Sequence, residues 1–293
     1  MKPNGCEIPA ERDVPNVYRG RSVALLTQHG KESVIAPVLD VALACRVGLV
    51  TGFDTDLLGT FTRDVARAGT QLDAARRKAR IGMERSGLPV GCASEGSFGP
   101  DPMVGMFPWN VEFLIWIDDG LGIEVVGVAQ GKTNFAHVLT ASWEETEAFA
   151  RRAGFPGHRL AVRPEREDDP RIRKGIADWP SLEDSVRWAL ALAANRRAFI
   201  ETDMRAFANP MRMENIRLAT EDLARKLRSS CPLCGTPGFH LEARVPGLPC
   251  EVCGAPTRDY LAEIYLCRKC GHRTRLERTI TSASAAHCHY CNP

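Results

Sequence analysis

Four C-x-x-C pairs crowd the stretch 231–293 of this 293-residue chain: Cys231/Cys234, Cys250/Cys253, Cys267/Cys270 and Cys288/Cys291. Such a pair presents two sulfurs from one tight turn, and a following glycine lets the backbone curl; Gly235, Gly254 and Gly271 follow three of the pairs. A tetrahedral Zn²⁺ takes four thiolates, so eight cysteines make two tetrathiolate sites. A full thiolate set leaves no position for water, which makes both zinc ions structural. Disulfides are disfavoured, because the segment 1–20 carries no apolar export signal. The intervals between the pairs are similar in length, which leaves sequential, nested and cross-braced pairings open, and the reading leans to nested or sequential. His287 and His289 flank the last pair and are expected to be exposed rather than ligands.

The rest of the chain has ordinary soluble composition, with 44% hydrophobic and 25% charged residues over the whole sequence. A net charge of +2 sets up no field for nucleic acid or an anionic membrane. No apolar run is long enough to cross a bilayer, and a cytoplasmic protein is the expectation. The tail from Ser229 holds seven Lys and Arg against five Asp and Glu, and two tetrathiolate–Zn²⁺ units turn it net negative. HRTRLER (272–278) is its only basic strip, so protein docking ranks above nucleic-acid binding as its role.

The segment 1–20 is polar and proline-punctuated and reads as a flexible arm. From Ser22 the pattern alternates. VALLTQHG is a strand ending in a glycine turn, ESVIAPVLDVALACR a helix, and VGLVTGFDT a strand running into a loop. Thr70 opens TQLDAARRKARIGMERSG as a capped helix, with Asp73 completing a capping box and Gly87 as its stop. GCASEGSFGPDP reads as a glycine-rich loop in which Asp101 caps or faces solvent. VEFLIWID and IEVVGVAQ are strands joined by DGLG, followed by a helix at 141–154, a charged loop, a helix at 181–195, the strand AFIETDM and a long helix after Asn209-Pro210. Alternation of this kind predicts an α/β domain over 21–228: a mixed or mainly parallel sheet with helices on both faces, followed by a ribbon-like two-zinc module over 229–293.

Chemistry in the α/β region gathers where strands end. TQHGK places Thr27, His29 and Lys31 at a strand-to-helix turn, where amides and an ammonium hold phosphate. TGFDTD offers Asp54 as a metal-edge carboxylate and Asp56 as a cap or solvated acid. Lys78 lies i+8 from Thr70 on the basic helix. Glu95, a carboxylate among glycines, is the best single Mg²⁺ ligand.

This order resembles the inosine/xanthosine triphosphate pyrophosphatase superfamily across residues 22–228. The resemblance implies that Thr27, His29 and Lys31 bind phosphate, with histidine where the family has asparagine. It further implies that Thr70, Ala74-Ala75 and Lys78 form the nucleotide-side helix, without the family's asparagine. By the same resemblance Glu95 supplies the metal-binding acid and Arg212, in NPMRMENI, contacts the nucleotide. A more specific resemblance spans nearly the whole chain. LLTQHGKE, TGFDTDLLGTFTRD, ASEGSFGPDP, ETDMRAFANPMRMENI and the terminal CHYCNP resemble a bacterial family, domain of unknown function 6671, which implies no activity.

The expectation is therefore a Mg²⁺-dependent phosphoanhydride hydrolase acting on a nucleotide-like ligand. Glu95, Asp54 and Lys31 form its catalytic group, and Thr27, His29, Thr70, Lys78 and Arg212 bind the ligand. The alternative is a non-catalytic anion or nucleotide sensor whose zinc module docks a protein or nucleic acid.

Overall fold

The computed structural model describes residues 16–55 and 69–293. Asp56 and the segment 1–15 of the expected arm lie outside that set. The remainder of the arm turns onto the core: Tyr18 is buried, with its ring 4.9 Å from Trp116.

The first sheet has the order β2-β1-β3-β4-β5. Its strands are β1 (Ser22–Leu26), β2 (Arg46–Val50), β3 (Val90–Pro100), β4 (Pro108–Asp118) and β5 (Ile123–Lys132). β1 pairs parallel with β2 and β3, whereas β3, β4 and β5 form an antiparallel meander. The sheet is thus mixed rather than mainly parallel. Helix α1 (Glu32–Leu43) and helix α5 (Pro210–Arg228) cover one face and pack on each other. Helix α2 (Gln71–Ser86) covers the other. Strand alternation sorts the core accordingly: Val90, Cys92, Leu114 and Trp116 face α1 and α5, while Ala93, Ile115 and Ile117 meet Ala75, Ala79 and Met83 of α2.

GCASEGSFGPDP is the main departure from the sequence reading. Residues 90–100 form one long strand rather than a loop. Gly91 and Gly96 serve close approach, not turning. A Cβ on Gly91 would lie 2.4 Å from Met83 Cγ, and one on Gly96 would lie 2.2 Å from Glu112 Oε1. Of the two roles expected for Asp101, capping is the one observed: it is buried and its carboxylate accepts from backbone N–H groups of the following turn.

A second, wholly antiparallel sheet has the order β6-β9-β7-β8. It comprises β6 (His137–Thr140), β7 (Leu160–Pro164), β8 (Arg173–Ile176) and β9 (Ala198–Thr202). Helices α3 (Trp143–Arg152) and α4 (Trp179–Leu192) pack on it around Phe149, Leu182 and Ile200. The charged loop expected within 160–175 is present, and β7 and β8, which were not expected, flank it. The two sheets meet at 203–209, where Arg159 N–H donates to Ala208 O (2.9 Å) and Asn209 Nδ2 to Asn134 Oδ1 (2.8 Å).

Beyond α5, β10 (His240–Pro246), β11 (Tyr260–Leu266) and β12 (Arg273–Glu277) form a three-stranded antiparallel meander. It joins the first sheet closely at Gly238, where a Cβ would lie 2.6 Å from Val125 of β5. No helix of the described residues is long and apolar enough to cross a membrane.

α5 reaches β5 only because Gly127 has no side chain: a Cβ there would lie 2.2 Å from the Ala219 carbonyl oxygen. Gly127→Ala should cost about 3 kcal/mol through overpacking against backbone. Gly99→Ala, with nothing within 4 Å, should leave the thermal midpoint unchanged. The two melts compared side by side check this.

Candidate functional site

The eight cysteines converge as two groups, Cys231/Cys234/Cys267/Cys270 and Cys250/Cys253/Cys288/Cys291. The pairing is cross-braced, which corrects the nested or sequential expectation. The reason lies in the meander. Each strand carries the chain from one end of the sheet to the other, about 23 Å for the seven residues of β10 or β11 and about 17 Å for the five of β12. Successive knuckles therefore alternate ends, and first meets third while second meets fourth. β10 and β12, which impose the alternation, were not recognised as strands.

Sulfur separations are 3.8 Å (Cys231–Cys270), 3.7 Å (Cys234–Cys267), 3.9 Å (Cys250–Cys291) and 3.6 Å (Cys253–Cys288). Four thiolates at about 2.3 Å from one Zn²⁺ define tetrahedral edges of about 3.8 Å, so both groups fit the ion. Gly235, Gly254 and Gly271 hold φ near 70° (70°, 71° and 74°), and each amide donates back to the first cysteine of its knuckle. In the fourth knuckle Asn292 N–H makes that bond to Cys288 O at 2.9 Å. A hydrogen bond with Thr236 holds the Cys234 thiol down to about 6, and backbone N–H of Cys291 holds Cys288 to about 7. Neither histidine is a ligand: His287 Nδ1 lies 2.9 Å from Asp259 Oδ2, and His289 Nε2 accepts from Arg258 Nε at 2.9 Å. Several tail arginines are also spent, Arg275 on Glu277, Arg244 on Glu263 and Arg268 on Glu242.

In the α/β body the structure brings together Lys31, Lys78, Glu95 and Arg212, and adds Glu112. β1 pairs with β3 only at Gly91 and Cys92, so Glu95 stands just past the carboxyl end of β1. The odd positions of β3 face α2, and there Lys78 Nζ donates to Glu95 Oε2 at 2.7 Å. The even positions of β4 face α5, and there Arg212 Nε donates to Glu112 Oε1 at 2.8 Å. Asn209 caps α5 by accepting from Arg212 N–H, and Arg212 Nη1 donates to Met204 O at 2.5 Å. Asn110 Nδ2 also donates to Glu112 Oε1 (3.1 Å) and Asn215 Nδ2 donates to Asn110 Oδ1 (2.7 Å), completing a buried polar chain. Glu112 escaped the sequence reading because VEFLIWID registers as an apolar strand; an acid inside the apolar run on the core-facing parity was the available signal.

Lys31, at the start of α1, is 5% exposed. Its ammonium makes no hydrogen bond or ion pair among the described residues. Burial first, then Arg212 and Lys78, push it from 10.5 to about 7, against the partial support of Glu95 and Glu112. The Glu112 Oε2 and Ser94 Oγ atoms are buried without hydrogen-bond partners.

The other expected residues lie at the margin. Thr27 is buried beside Gln28, with its hydroxyl 3.3 Å from Gln28 O. His29 adopts φ 67° and lies 5.7 Å from the Phe207 ring. Asp54 is exposed and accepts from Gln28 Nε2 at 3.2 Å. Thr70 is engaged in the capping box of α2 with Asp73. Among the described residues, the two four-cysteine sets are the groups of three or more His, Cys, Asp or Glu arranged to hold a metal.

The pairing makes a direct prediction. Cys231→Ser with Cys267→Ser should retain one zinc per chain, because both changes strike the same site. Cys231→Ser with Cys250→Ser should retain none. Metal analysis of the purified proteins distinguishes this from sequential or nested pairing, under which the first double variant damages both sites.

No curated protein and no solved structure matches the chain. The family described as Domain of unknown function (DUF6671) matches residues 78–293, a span that includes Lys78, Glu95, Glu112, Arg212 and all eight cysteines. The chain belongs to that family.

Proposed function

We propose that the α/β body binds a small phosphorylated, nucleotide-like anion at the carboxyl end of β1, beside the middle of β3, and that the zinc module is a rigid platform for docking a protein. The observation that carries the reading is Lys31. A buried ammonium beside two further cations, Lys78 and Arg212, and without an ion-pair partner among the described residues, is stabilised by any anion that enters. The N-terminus of α1 adds backbone donors and a favourable dipole. Perturbed groups of this kind concentrate at functional sites.

Mg²⁺-dependent phosphoanhydride hydrolysis is the further step the same site would have to perform. Geometry favours binding over hydrolysis. Mg²⁺ takes oxygen ligands in octahedral array, whereas Glu95 spends Oε2 on Lys78 and Glu112 spends Oε1 on Arg212. A metal role for Glu95 needs Lys78 to move away.

Protonation supplies the test. The unfolded chain keeps Lys31 protonated up to its ordinary 10.5, while the folded chain releases the proton near 7. Between those values the unfolded state binds more protons, so apo stability rises with pH across that window. An anion reverses the shift. Its binding should take up protons above pH 7, and affinity should fall as pH rises, which calorimetry of pyrophosphate and nucleoside triphosphates in buffers of different ionisation enthalpy will detect. Lys31→Met should abolish ligand stabilisation while raising the apo melting temperature. Unchanged affinity in that variant refutes the site. Mg²⁺-dependent phosphate release by the wild type, lost in Lys31→Met, assigns hydrolysis. Glu95→Gln is the poorer probe, since it strands the buried Lys78 ammonium at a cost of about 3–5 kcal/mol.

A further inference from the structure

The turn between β3 and β4 exposes its apolar side chains. Met103 is 90% exposed, Met106 77%, Val104 63% and Phe107 47%. Beneath them Asp101 is buried and binds the whole loop. Met103 and Val104 N–H donate to its Oδ1 (3.1 and 2.9 Å), and Met106 and Phe107 N–H to its Oδ2 (2.8 and 3.0 Å). Gly105 N–H donates to Asp101 O (3.1 Å), and Asp101 N–H to Phe107 O (2.8 Å). Positions 100, 102 and 108 are prolines, which have no N–H. From Pro100 to Pro108, every backbone donor is therefore either absent or satisfied within the loop.

We propose that this tip is a wedge that enters the interfacial layer of an anionic lipid surface. Three features select lipid over a protein groove. Sealing every donor serves a medium that cannot pair with them in register, whereas peptide docking on strands uses free main-chain donors. Four exposed apolar side chains within the five residues 103–107 suit insertion into an apolar medium. The charge beside them is positive: Lys132 Nζ lies 4.7 Å from the Phe107 ring centre, an arrangement in which the ring enters and the ammonium stays at the headgroups. The one acid of the loop, Asp101, is turned inward and quenched by the four amides, which hold it near 2. Backbone carbonyls need donors that hydrocarbon lacks, so insertion is confined to the hydrated interface. The chain's small overall charge does not oppose this, because the contact is local.

Sedimentation of the full-length, zinc-loaded protein with phosphatidylcholine vesicles, with and without phosphatidylserine, tests the proposal. Wild type should pellet with the phosphatidylserine vesicles. Met103→Asp with Met106→Asp should lower binding by about tenfold or more, with zinc content and melting temperature unchanged because both side chains are exposed. Lys132→Gln should weaken binding about fivefold, the worth of one lysine near an anionic surface. Failure of the wild type to bind vesicles overturns the proposal, as does undiminished binding of the double aspartate variant. Capture of a protein by a photo-crosslinker at position 106, without vesicle binding, assigns the tip to a protein groove instead.

Discussion

Two carboxylates lie buried on opposite faces of one antiparallel strand pair, each held by a cation from a different helix. Glu95 on β3 takes Lys78 from α2, and Glu112 on β4 takes Arg212 from α5. Neither acid could be buried alone, since an uncompensated charge in this setting costs several kcal/mol. The pairs therefore fix which faces of the helices meet the sheet. They also explain one glycine of β3: the ion pair at Glu112 occupies the space a side chain at Gly96 would need. Packing here is dictated by charge as much as by apolar contact.

The same arrangement prepares the site. Once Lys78 and Arg212 are committed to acids on either side of the sheet, Lys31 is the third cation in the cluster and has no acid of its own among the described residues. Its depressed proton affinity is the electrostatic consequence of that count. The second sheet contributes by supplying the 203–209 segment, whose Met204 carbonyl and Asn209 cap orient Arg212. The C-terminal meander stands against the far edge of the first sheet through Gly238 and Val125, and a cross-braced four-cysteine group gathers the chain at each of its two ends.

Much of the fold was legible. The capping box at Thr70 and Asp73, the stop at Gly87 and the cap at Asn209-Pro210 mark α2 and α5, because caps are local chemistry. The hairpin at Asp119–Gly122 is equally local. Strand β3 was hidden by the same rule, since Gly91 and Gly96 look like breakers until the neighbours they make room for are known. Strands β7 and β8 were hidden because buried Arg163, paired with Glu201, looks like a loop residue in isolation. Of the candidate site residues, Lys31, Lys78, Glu95 and Arg212 lie together, whereas Thr70 serves its helix, Asp54 stays in solvent and Glu112 was passed over inside an apolar run.

Spacing alone determined that this chain carries two four-cysteine groups fit for zinc, because two sulfurs on one turn need no distant partner to be recognised. Which knuckle meets which was decided by the three-stranded meander, because only the direction of each strand sets the end at which the next knuckle arrives. Composition likewise determined that Asp101 sits in a breaker-rich turn, while tertiary structure decided that its carboxylate is turned inward, under an exposed apolar tip. Sequence records which groups are present. Long-range strand register decides which of them face one another, and electrostatics then assigns each its partner.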